Sequence, residues 1–109
     1  MIRALVLGAA LVLAGPALAH RVSVFASVQD DAVVVEAKFS TGRVPATGEV
    51  RVEDAAGAVL LTLPLEDGAA RFPLDRAAAA DGLSITVTTG DEHEGYWLLT
   101  PADIAGGGS

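Results

Sequence analysis

The sequence predicts an all-β fold, a small seven-stranded β-sandwich of immunoglobulin-like or transthyretin-like type. Two observations predict it: from residue 22 onward apolar and polar residues alternate with a period of two, and turn-forming clusters recur about every ten residues. A third sets its terms. The chain has no cysteine, so the inter-sheet disulfide of many immunoglobulin domains is excluded and an apolar core must hold the layers together.

Residues 1 to 19 stand apart from that rhythm. Arg3 precedes an apolar run from Ala4 to Ala14, and Gly15-Pro16-Ala17-Leu18-Ala19 closes it. A positive start, an apolar centre and an A-x-A end are the pattern of a secretory signal peptide. The run falls short of the ~20 apolar residues that span a bilayer. Cleavage is therefore expected between Ala19 and His20, giving a periplasmic protein with no membrane span. Removing Arg3 with the leader takes the formal net charge from −7 to −8. Nucleic acid, which demands a basic face, is excluded as a partner.

The elements follow in order. Val22, Val24, Ala26 and Val28 share one face of a first strand, Asp30-Asp31 form a tight turn, and Val33, Val35, Ala37 and Phe39 share one face of a second. Ser40 to Thr47, with Gly42 and Pro45, reads as a connecting loop. Residues 48 to 54 and 58 to 63 make a second hairpin around Gly57, and Glu66-Asp67-Gly68 turns into a short strand from Ala69 to Leu74. Asp75 to Asp81 is a connection whose four alanines suit one helical turn. Leu83 to Thr89 alternates, a loop containing His93 follows, and Tyr96 to Leu99 form the last strand, ended by Pro101. The domain thus runs from residue 20 to 104. Residues 105 to 109, Ala-Gly-Gly-Gly-Ser, read as a flexible tail.

An enzyme is not expected. No G-x-S-x-G elbow or thiol is present, and about 90 mature residues leave little room for a substrate cleft. The two histidines carry the informative chemistry. Cleavage would leave His20 as the first residue, with an α-amine and a ring Nδ1 placed to close one chelate ring on a divalent cation. An internal histidine has no such pair. Imidazole and amine nitrogens suit nickel, cobalt, copper and zinc. His93 is the other imidazole, and neighbouring Asp91 and Glu92 are candidate oxygen ligands. Glu36, an acid within the apolar first hairpin, is a weaker candidate. The hairpin register sets His20 opposite Thr41, at the end far from Asp30-Asp31. Whether His93 reaches that end depends on topology.

The opening AHRVSVFASVQDDAVVVEAKFSTGRV, the hairpin GEVRVEDAAGAVLL and the segment TTGDEHEGYWLLTPADI resemble the small accessory components of nickel and cobalt uptake transporters of the energy-coupling-factor type. The resemblance spans nearly the whole mature chain and is most specific at A-H-R-V and around His93. The middle hairpin also resembles transthyretin-like and carboxypeptidase-regulatory-like sandwiches. What the resemblance implies is a protein that helps capture Ni(II) or Co(II) outside the cytoplasmic membrane, with the transporter's membrane components as partners and His20 and His93 as ligands. Copper handling, with Cu(II) at the same nitrogens, and a metal-free interaction module are the alternatives. The chain departs from the family in carrying Glu92 where a small residue precedes the second histidine, and in having no spanning helix after Ile104.

Overall fold

The computed structural model describes residues 21–90 and 93–106. Among the described residues seven strands form: β1 (Val22–Gln29), β2 (Ala32–Phe39), β3 (Thr47–Asp54), β4 (Val59–Glu66), β5 (Ala69–Pro73), β6 (Leu83–Thr89) and β7 (His93–Leu99). A short helix, α1 (Pro101–Gly106), follows them. No helix among the described residues is long and apolar enough to cross a membrane.

The turns are built as their residues dictate. In the β1–β2 hairpin Gln29 pairs with Ala32 across a two-residue turn in which Asp30 takes a left-handed φ of 56°. Aspartate is among the few side chains that tolerate that region. The β4–β5 turn places Asp67 at φ 51° and Gly68 at φ 75°, the signs that a two-residue hairpin loop of type I′ requires. Glycine is needed there twice over, because a Cβ would also lie 2.8 Å from Cβ of Val44. Asp54 ends β3 by accepting hydrogen bonds from the backbone N–H groups of Ala56 and Ala58. Asp75 does the same for Ala77 and Ala78, and one helical turn forms where the alanines suggested it.

The strands lie in the order β1-β2-β5-β4-β3-β6-β7, with each neighbouring pair antiparallel. β4 and β5 share a single register pair, Glu66 with Ala69, so the sheet divides there into layers β1-β2-β5 and β4-β3-β6-β7. The grouping of the first, second and fifth strands against the third, sixth and seventh is that of immunoglobulin-like sandwiches. β4 continues past Leu63 to Glu66, three residues beyond the alternation in the sequence, and carries Pro64 on a strand with one largely open edge. An open edge is where a residue without an N–H is tolerated.

The sheet curls until its two outer strands meet, so the layers form a nearly closed barrel. Six antiparallel steps separate β1 from β7, and the two therefore run parallel. They pack together without a hydrogen-bonded ladder. The period-two faces fill the interior. Val33, Val35, Val50, Val52, Ile85 and Val87 are fully buried. Each such side chain contributes roughly 1.5–3 kcal/mol over its exposed state, which is what a cysteine-free domain of this size needs.

The far end is closed by an element absent from the sequence reading. The hydroxyl of Thr100 accepts from the N–H of Asp103, and the Asp103 carboxylate accepts from the N–H of Thr100, a reciprocal cap with Pro101 in the first helical position. Ile104 is buried beneath, and Arg76 donates to the Ile104 carbonyl at 2.6 Å. α1 thus takes in Ala105 and Gly106, which composition alone assigned to the tail.

Candidate functional site

The candidate site lies at the seam between β1 and β7, at the end where both strands begin. His93 is the first residue of β7 and pairs with Thr89 to close the β6–β7 hairpin. It is therefore a strand residue, where the sequence places it in a loop. Alternation puts His93 and Gly95 on the inward side, with Val87 opposite Gly95 and the buried Thr89 opposite His93. The imidazole is half-buried, its Nδ1 is shielded from solvent, and its ring meets Phe39 edge to face with centroids 5.6 Å apart.

Phe39 ties His93 to the beginning of β1. It is the register partner of Val22, and the N–H of Ser40 donates to the Arg21 carbonyl at 3.2 Å, so the β1–β2 ladder continues to Arg21. Topology thus brings His93 to the end of the sandwich at which β1 starts.

The seam itself is fixed at two points. The backbone of Val22 lies directly on Gly95: a Cβ there would collide with the Val22 carbonyl oxygen and stand 3.0 Å from its carbonyl carbon and 3.1 Å from Cγ2 of Val24. Further along, the rings of Phe25 and Trp97 meet edge to face at 5.1 Å. The contacts advance in the same direction on both strands, as parallel strands require. Between them runs an open groove bordered by Arg21, Ser23, Glu94 and Tyr96.

Of the other sequence-predicted ligands, only Glu36 lies among the described residues, and it does not reach the seam. Glu36 faces outward, paired with Phe25 on one side and Ala69 on the other, on the face of β2 opposite to the one that carries Phe39. His20, Asp91 and Glu92 lie outside the described residues. Among the described residues no group of three or more histidine, cysteine, aspartate or glutamate side chains is assembled for a metal. What sequence reasoning missed is Gly95 and Phe39. A glycine inside an otherwise regular strand is the signal for a close backbone approach, and G-Y-W carried it. No family model, curated protein or solved structure matches the chain.

Proposed function

We propose that the protein is an exported metal-binding accessory protein that holds Ni(II) or Co(II) as cargo for an uptake transporter. The ion is gripped by the α-amine and imidazole of His20, made terminal by cleavage after Ala19, and by the imidazole of His93. The membrane components of that transporter are the partner. No catalytic step is assigned.

The observation that carries the reading is the parallel register of the seam. Val22 lies against Gly95 on strands that run the same way. Two residues back from Val22 is position 20, and two residues back from Gly95 is position 93. Two residues of chain span at most about 7 Å, a reach that supports a shared ion on this reading. A shared ion needs nitrogens at ~2.0–2.1 Å from the metal. The ligands named on this reading are nitrogens, the class suited to nickel, cobalt and copper over magnesium or calcium. The likeness of A-H-R-V and E-H-E-G-Y-W to uptake accessory components narrows the cargo to nickel or cobalt.

Calorimetric titration of the mature protein with Ni(II) tests this. One equivalent is expected to bind, with affinity falling at least about tenfold when an extra alanine precedes His20 and when His93→Ala is introduced, since each change removes a nitrogen ligand. Equal affinity of the extended and mature forms contradicts the amine chelate.

A further inference from the structure

We propose that the outer face of the β1-β2-β5 layer is a docking surface for anionic phospholipid headgroups, by which the protein rests reversibly on a bilayer. The face lies wholly among the described residues, and neither His20 nor a metal enters it. The chain is acidic, with 7 Lys and Arg against 14 Asp and Glu, so scattered cations would find carboxylates nearby. Most do not. Of the six cations described, Arg51 is held by Glu53 at 2.9 Å and Arg76 lies 3.6 Å from Asp31. Arg21, Lys38, Arg43 and Arg71 are exposed, and no carboxylate among the described residues stands within ion-pair distance of them.

The fold gathers these four. Lys38 pairs with Ser23 and Arg71 with Val34, so strand alternation sets both cations on the outer face, together with Phe25 and Glu36. At the end of β2 the N–H of Ser40 donates to the Arg21 carbonyl on one side, and the N–H of Phe39 donates to the Arg43 carbonyl at 2.7 Å on the other. Arg21 and Arg43 therefore flank the strand just beyond Lys38. Glu36 is the one carboxylate carried by the strands of this face, with Asp67 and Glu94 at its borders. The outer face of the β4-β3-β6-β7 layer reverses the balance, since alternation gives it Glu49, Glu53, Glu66 and Glu94 against Arg51 alone. The net negative charge does not prevent docking. Packed sheets stand ~10 Å apart and their outer side chains further still, beyond the screening length of about 8 Å at physiological ionic strength, so a bilayer meets the near face before it meets the far one.

Phe25 favours a bilayer over other acidic surfaces. It is 49% exposed amid the cations, with its ring against Trp97. Basic side chains around an exposed aromatic ring suit the headgroup boundary, where charge meets phosphate and the ring meets acyl chain. A second copy would bring its own acidic face, but contact between opposite sides of a molecule is head-to-tail and propagates into filaments.

Sedimentation with vesicles tests this, using the metal-free chain from His20 onward, which carries every described core residue from Val22 to Ile104. Binding is expected to vesicles of equimolar phosphatidylglycerol and phosphatidylcholine and not to phosphatidylcholine alone, and it is expected to vanish at about 1 M salt, where the screening length falls to ~3 Å. Lys38→Gln combined with Arg71→Gln is expected to lower partitioning about 10–30-fold, at roughly fivefold per cation. Thr62→Glu combined with Thr86→Glu makes the same change in net charge on the other layer, beside Arg51, and is expected to bind as the parent does. Trp97, the one tryptophan, reports on Phe25, and its emission is expected to move to shorter wavelength on binding. Indifference to headgroup charge, or equal losses in the two double variants, overturns the docking face. Binding to soluble polyglutamate with none to anionic vesicles overturns it in favour of an acidic protein partner. Self-assembly abolished by Lys38→Gln with Arg71→Gln, again without vesicle binding, overturns it in favour of a second copy of the chain.

Discussion

His93 and Gly95 illustrate how a residue's meaning depends on the neighbour that topology supplies. In the sequence His93 stands between Glu92 and Glu94, which suggests a solvated side chain among acids. In the fold its ring rests on Phe39, 54 positions earlier in the chain, and faces the beginning of β1. If that half-buried imidazole shares an ion with the amine of His20, as proposed, the ligands must all be unprotonated to bind. Ni(II) binding is therefore expected to release protons and to weaken as pH falls, because acid favours the protonated amine and rings over the metal complex. Titration in buffers of different ionisation enthalpy measures that release. A binding heat that does not vary with the buffer would show that no protonated nitrogen is displaced.

At the scale of elements, the hairpins were legible because two local signals agreed. Strict alternation from Val22 to Val28 and from Val33 to Phe39, separated by Asp30-Asp31, leaves one register that buries both apolar faces, and that register is found. Leu83 to Thr89 reads equally cleanly, buried at every odd position. Elsewhere the local signal was incomplete. Pro64 obscured the continuation of β4, since proline argues for a break unless the strand has an open edge, and an open edge is a property of the sheet. α1 escaped notice for a different reason. Thr100-Pro101-Ala102-Asp103 carries a helix start, but the glycine-rich residues beyond it have the composition of a linker, and so short a helix depends on tertiary contacts, the burial of Ile104 and the Arg76 hydrogen bond. Thr100→Ala removes the hydroxyl end of the reciprocal cap and is expected to lower unfolding free energy by about 1 kcal/mol, measured by denaturant titration. A change indistinguishable from zero would mean that the cap is idle and that α1 rests on Ile104 and Arg76 alone.

For the molecule as a whole, the decisive feature is an odd number of strands curled until the ends meet. Seven antiparallel neighbours leave the closing pair parallel, and in this chain that pair packs without a ladder. Both strands of the seam begin at the same end, which is why the start of β1 and the start of β7 converge. This convergence could not be read from the sequence, because it depends on the strand order and on the curl, while each local pattern is compatible with several orders. An ion bound across that corner would join β1 to β7 where hydrogen bonds do not, and on the present account the protein holds its cargo at the least bonded line of its fold.

The chain contains two histidines, so their rings can be followed individually by nuclear magnetic resonance in the mature protein as Ni(II) is added. The signals of both rings are expected to respond together and to be complete at one equivalent of metal. If only one ring responds, or the two respond at separate equivalents, His20 and His93 do not share an ion.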